Sequence, residues 1–145
     1  MIVDVNLLLF AVDRRSPFHE RAKSWLTQQI NGTRRVGLPW QTLGGFLRIV
    51  THPRALSNPL TPVEAMGFLE EWLARETVWI PAPGRSHAQL LGGLMEAHDV
   101  RGSLIPDARL AALAIEHGLA VYSADTDFAR FSEIAWHNPL ADGAR

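Results

Sequence analysis

Three aspartates stand where a purely structural design would place something else. Asp4 interrupts the apolar run from Ile2 to Val5, and Asp125 follows directly on the apolar stretch from Leu119 to Ala124. Asp107 follows Pro106 and opens the alanine- and leucine-rich segment that ends at His117, and Asp127 comes two residues after Asp125. An ionised carboxylate in a buried strand is costly unless it is paired or bound to metal. Ligands of open α/β sheets sit at the carboxyl ends of strands, so acids at two such ends can meet. Three or four acids converging without cysteine or a histidine pair select a hard cation with oxygen ligands, Mg²⁺ or Mn²⁺ rather than Zn²⁺. Such a site activates water and steadies charge on a phosphoryl oxygen, and the reaction class that follows is phosphodiester hydrolysis. If Asp4 and Asp125 share one cation, their carboxylates must lie within roughly 8 Å of each other. Each acid also has a plainer reading. Asp107 suits the dipole of a first helical turn, Asp125 is a common turn residue, and Asp127 can cap the short helix before Phe128.

Elements of the right kind exist to position these acids. Ile2 to Val5 reads as a first strand carrying Asp4. Pro17 to Ile30 has helical spacing through Phe18, Ala22, Trp25, Leu26 and Ile30, and Asn31-Gly32 stops it. Val36 to Leu38 is a short strand before Pro39, and Gln41 to Val50 is a helix with Leu43, Phe46, Leu47 and Val50 on one face. After a turn-rich stretch from Pro53 to Pro62, Thr61, Pro62 and Glu64 form the signature of a capped helix that runs to about Ala74. Val78 to Ile80 is a strand, Ser86 to His98 a helix, Asp107 to His117 another, closed by Gly118. Leu119 to Ser123 is a strand leading into Asp125, Asp127 to Phe131 a helical turn, and Ile134 to Trp136 a last strand. Strands alternating with helices argue for an α/β layer fold around a mainly parallel sheet. Residues 1–140 are expected to form a single domain and residues 141–145 a disordered tail.

Composition excludes several classes. A chain of 145 residues with 47% hydrophobic and 20% charged residues can bury one substantial core. There is no cysteine, which removes disulfides, thiolate metal sites and a cysteine nucleophile, and fits a reducing, cytoplasmic compartment. The amino-terminal segment lacks the basic region of a signal peptide, and no stretch suits a membrane span. Net charge is −1, so no global basic field marks a nucleic-acid binder, although 13 of the 14 basic residues are arginine. The six histidines form no i, i+4 pair, and Gly44-Gly45 and Gly92-Gly93 lack the spacing of a phosphate-binding loop. His52 and Arg54 in a loop, the pairs Arg14-Arg15 and Arg34-Arg35, and Trp40 as a stacking platform are candidate RNA contacts. Each has a solvated-surface or packing alternative.

The motifs together resemble a known family. Val-Asp-Val-Asn-Leu-Leu at 3–8, Pro-Asp-Ala-Arg-Leu-Ala-Ala-Leu-Ala at 106–114 and Ser-Ala-Asp-Thr-Asp-Phe at 123–128 look like the three acidic motifs of PIN domains. The likeness is closest to VapC toxins of type II toxin–antitoxin systems. Phe-Leu-Arg-Ile-Val-Thr-His-Pro at 46–53 and Asn-Pro-Leu at 138–140 look like the mycobacterial branch. The resemblance spans Ile2 to Leu140. It implies an α/β/α sandwich, Mg²⁺ or Mn²⁺ dependence, and endoribonuclease activity on structured RNA such as tRNA or the ribosomal sarcin–ricin loop. It also implies inhibition by a small VapB-like antitoxin, within a homodimer or a higher toxin–antitoxin assembly. By motif match, Asp4, Asp107 and Asp125 become metal ligands, Asp127 a further acid of the set, and Asn6 the polar partner of Asp4. One departure stands out. The family carries a Glu on its second helix in a pattern like Leu-Ala-Glu-Leu-Leu-Arg, and the matched position here is Gly45. Neither Gln41 nor Thr42 replaces that charge. A weakly active or inactive module that acts by binding antitoxin or RNA is therefore the alternative. An aspartyl-phosphate phosphatase is disfavoured, because Asp4 is followed by Val5-Asn6 and not by a second Asp.

Overall fold

The computed structural model describes residues 1–142. Five parallel strands, β1 (Ile2–Val3), β2 (Val36–Gly37), β3 (Val78–Trp79), β4 (Val121–Tyr122) and β5 (Trp136–His137), form one sheet in the order β3-β2-β1-β4-β5. Register is set by Ile2 opposite both Gly37 and Val121, and by Val3 opposite Tyr122. The helices are α1 (Val5–Val12), α2 (His19–Ile30), α3 (Trp40–Val50), α4 (Pro62–Leu73), α5 (His87–His98) and α6 (Ile105–His117). Short 3-10 turns lie at Gly102–Leu104 and Thr126–Arg130.

Alternation along β1 divides the interior. Val3 faces one core with Leu7, Leu26, Phe46 and Trp72 from α1 to α4, and Ile2 faces the other with Leu94, Leu110 and Phe128 from α5, α6 and the second 3-10 turn. The result is the expected α/β/α sandwich, and its strands are apolar because both faces are covered.

One expected element is corrected. The first strand was expected to reach Val5, but β1 ends at Val3 and Val5 begins α1. Asp4 has extended backbone and its Oδ1 accepts a hydrogen bond from Val5 N at 2.8 Å, so it ends the strand and caps the helix at once. The helix was hidden because the segment Val-Asn-Leu-Leu-Leu-Phe-Ala-Val is apolar nearly all round and shows no 3.6-residue stripe. Elsewhere boundaries move by a residue or two. The Thr61 box is present in both halves: Thr61 Oγ1 accepts from Glu64 N, and Thr61 N donates to Glu64 Oε1. Gly118 closes α6 with a left-handed φ of 65°.

Of the residues expected to form a tail, the exposed Ala141 and Asp142 both lie beside Arg21. Arg21 Nη2 donates to Ala141 O at 3.1 Å, and Arg21 lies 3.6 Å from the Asp142 carboxylate. Residues 143–145 lie outside the described residues.

Candidate active site

The strand order reverses beside β1. Chain progress runs from β1 outward through β2 to β3, then returns to β4 on the other side of β1. The crevice beyond the carboxyl ends of β1 and β4 is thus a topological switch point, where α/β sheets bind ligands. Asp4 follows β1 directly, and Ser123 to Asp125 follow β4.

A polar network ties the two strand ends together. Asp4 N donates to Tyr122 O at 2.9 Å, which extends the β1–β4 ladder by one step. Asp4 Oδ2 accepts from Ser123 Oγ at 2.7 Å and from Asn6 Nδ2 at 3.1 Å. Asn6 also donates to Ser123 Oγ at 3.0 Å, and its Oδ1 accepts from Ala124 N at 3.1 Å. Ser123 Oγ accepts in turn from Asp125 N at 3.0 Å. Asn6 sits where its motif match placed it, as a partner of Asp4. Ser123, fully buried, was missed by the sequence reading. Its only signal was a small hydroxyl at the end of an apolar strand, two residues before Asp125.

Three acids gather at the mouth of this network. Asp107, Asp125 and Asp127 each offer a carboxylate oxygen, and the three atoms lie within 4.8 Å of one another. Asp107 projects from the first turn of α6. Asp125 caps the 3-10 turn, its Oδ1 accepting from Asp127 N at 2.9 Å. Asp4 does not join the set at that radius; its oxygens accept from Val5, Asn6 and Ser123. Its charge is nevertheless felt. Burial, then Asp125, Asp4 and Asp127, push the Asp107 carboxyl up to about 7, against a smaller pull from Arg130. Asp4 is itself raised by burial and by Asp125, while hydrogen bonds from Ser123 and Val5 oppose the rise. Arg130 brings a counter-charge to the set, 3.9 Å from Asp127. The acids around Asp107 raise its proton affinity, and the three carboxylates together are an all-oxygen, anionic donor set suited to a hard cation.

Other expected residues are dispersed. A Cβ built at Gly45 would lie 3.5 Å from Cγ2 of Val5, the residue that follows Asp4. His52 and Arg54 lie beyond the far end of α3, in a concavity with Arg48 and Ile49. The eleven residues of α3 span about 16 Å, so the structure does not bring this pair to the acids. Arg15 donates to Ser57 Oγ at 2.6 Å, and Arg35 lies 4.3 Å above the Trp79 ring. Trp40 starts α3 and is 58% exposed.

Comparisons with known proteins agree with this fold. The PIN domain family model matches residues 1–134. Ribonuclease VapC33 of Mycobacterium tuberculosis is 39% identical over 142 residues, covering 98% of this chain and 99% of that protein. Ribonuclease VapC37 of the same organism is 36% identical, covering 97% of each. Among solved structures, VapBC2 from Rickettsia felis bound to a promoter DNA fragment aligns with a TM-score of 0.71 at 14% identity, over 94% of this chain and 96% of that one. Mycobacterium tuberculosis VapC20, described as a sarcin–ricin loop cleaving toxin, aligns with a TM-score of 0.66 at 18% identity, over 90% of this chain and 94% of that one. The chain belongs to the PIN-domain family, and its similar relatives include VapC ribonucleases matched along almost their whole length.

Proposed function

We propose that this chain is a divalent-metal-dependent endoribonuclease toxin that cleaves structured RNA and is silenced by a VapB-like antitoxin. The observation that carries the reading is the convergence of Asp107, Asp125 and Asp127 at the switch point, with like charges poorly compensated. These three carboxylates would hold the cation, and Asp4 would complete the catalytic set from behind. Bound there, Mg²⁺ or Mn²⁺ supplies Lewis acidity to a water and to a phosphoryl oxygen. The protein's own part is positional. Asn6 and Ser123 fix the Asp4 carboxylate and the turn that carries Asp125, so that the charge is set before substrate arrives. Asp107, whose carboxyl is pushed up to about 7, would give up its proton in holding the cation.

The named activity of the full-length relatives and the solved VapBC complexes support RNA as substrate and a small protein as inhibitor. Exposed Phe18, Val63 and Met66 offer apolar area for a partner or for a second copy. No helix among the described residues is long and apolar enough to cross a membrane, and a cytoplasmic RNA substrate fits that. Leu140, buried in the first core, supports a single domain over residues 1–140. Gly45 favours a second reading, a weakly cleaving module that acts through binding. Purified protein incubated with total RNA and Mn²⁺ separates the two. Mapping new 5′ ends after induced expression should give discrete sites for the wild type and none for Asp107→Asn. Equal cleavage by both would remove the assigned role of Asp107, and no cleavage by either would favour the binding module.

A further inference from the structure

A small concavity of about 210 Å³ opens on the other side of the first turn of α6 from the acids. The start of α3, the loop from β3 to α5 and the outer face of α6 enclose it. Trp40 lies at its edge, Pro81 and Pro83 form apolar wall, and Gln41, His87 and Arg109 bring polar groups to it. Arg109 comes two residues after Asp107, about 200° around the helix, so the concavity and the acids flank one helical turn.

The walls are held in place. Gln41 Nε2 donates to Pro106 O at 2.6 Å, which joins α3 to the turn that carries Asp107. Glu116 Oε1 accepts from Gly84 N at 2.6 Å, and its Oε2 lies 3.5 Å from His87 Nδ1. His117 Nε2 lies 2.8 Å from Ala82 O, so two successive residues of α6 clasp the same loop. A Cβ on Gly84 would meet Glu116 Oε1 at 2.6 Å, so a larger residue there would displace the Glu116 carboxylate from the loop. Two prolines further limit the loop. A rigid site loses little entropy when a ligand enters.

Size and chemistry select the occupant. The volume is below that of a drug-sized pocket and suits one flat ring system. A Trp more than half exposed offers a stacking face, Arg109 a cation, and Gln41 an amide for a base edge. We propose that this pocket takes an unpaired nucleobase of the RNA, stacked on Trp40, from a nucleotide neighbouring the one whose phosphate is cut. The proposal rests on the nuclease reading of the acids. It deepens that reading by naming what selects substrate: an unstacked base beside the cleavage site.

The test measures binding in chelator, so that no cleavage intervenes. Wild type, Trp40→Phe and Trp40→Ala are titrated into a short fluorescein-labelled single-stranded RNA of mixed sequence. They are also titrated into the same ribose-phosphate chain made abasic. The wild type should prefer the base-bearing RNA by about tenfold or more, the scale of one base–aromatic stack. Trp40→Phe should keep most of that preference. Trp40→Ala should lose it while binding the abasic chain as before. Circular dichroism and melting curves check that the variants fold. An undiminished preference in Trp40→Ala, or no preference in the wild type, overturns the proposal. So does a Trp40→Ala that loses only its co-purified antitoxin, which would make this a protein-docking site. Cleavage is scored separately. Metal-dependent cleavage lost in Asp107→Asn, with no effect at Trp40, leaves the nuclease and removes the pocket. A base preference that disappears in Trp40→Ala, without any cleavage in Mn²⁺, keeps the pocket and removes the nuclease.

Discussion

In the proposed reading, a proton and a cation would compete for the Asp107 carboxylate. Its ordinary value of 3.8 is pushed to about 7 by burial and by the neighbouring acids. Between those two values the folded state holds a proton that the unfolded chain has released, so this group's effect is to lower stability as pH rises through the window. Asp107→Asn removes the charge and keeps the volume. In chelator at about pH 8 the variant should be more stable than wild type by about 1–2 kcal/mol, a figure reduced for the solvent screening of a half-exposed group. The gain should vanish in acid below the ordinary carboxylate range. Coincident melting curves across the whole range would show that the acids do not repel one another. The same proton predicts that Mn²⁺ affinity measured by calorimetry climbs as pH rises toward 7 and levels off above it. Behind this group, Ser123 donates to a buried carboxylate. Ser123→Ala should cost about 1–3 kcal/mol and push the Asp4 carboxyl higher still, readable by NMR titration. An unshifted Asp4 would mean that Ser123 does not hold it. The acids themselves were legible in the sequence, because each sits at an apolar boundary. Their convergence was expected from motif order, but which of them come closest together was not. Asp127, two residues from Asp125, enters the close set, while Asp4 stands behind it with its oxygens already hydrogen-bonded.

At the level of elements, most helices and all five strands can be read from periodicity and punctuation. Thr61, Pro62 and Glu64 announce α4, Gly118 ends α6, and Pro39 separates β2 from α3. The exception is α1, whose start coincides with the strand end that carries Asp4 and whose apolar residues continue the strand pattern. Local sequence is ambiguous there because Asp4 serves sheet, helix and site together. Two predictions belong at this scale. Thr61→Ala removes one half of the capping box and should cost about 1 kcal/mol, checked by denaturant unfolding. An unchanged midpoint would mean that α4 needs no cap. On α3, Gly45 faces Val5 at ordinary contact distance, so a larger residue can be placed there. Gly45→Glu should tighten Mn²⁺ binding relative to Gly45→Gln, which shares its gain in helix propensity but adds no charge. Equal affinity in the two variants would place position 45 outside the metal's reach.

At the scale of the whole molecule, fold and site share one origin. A sheet in the order β3-β2-β1-β4-β5 reverses its connections beside β1, and the crevice so formed receives Asp4 from one strand end and Asp125 from the next. Helix α6 crosses to the same edge and adds Asp107, while the opposite side of its first turn borders the Trp40 concavity. Length, apolar content and motif order indicate this architecture. The Asn6–Ser123 clamp depends on residues 117 positions apart, and only the β1–β4 pairing brings them together. In the proposed function, the carboxylate cluster holds the cation on which RNA cleavage depends. Its most direct test is cleavage of a structured RNA by protein stripped with chelator and then supplied with Mn²⁺, for wild type beside Asp125→Asn. The wild type should be silent in chelator and cut at discrete sites once Mn²⁺ is restored, with Asp125→Asn silent in both. Cleavage by stripped wild type in chelator, or equal Mn²⁺-dependent cutting by Asp125→Asn, would contradict it.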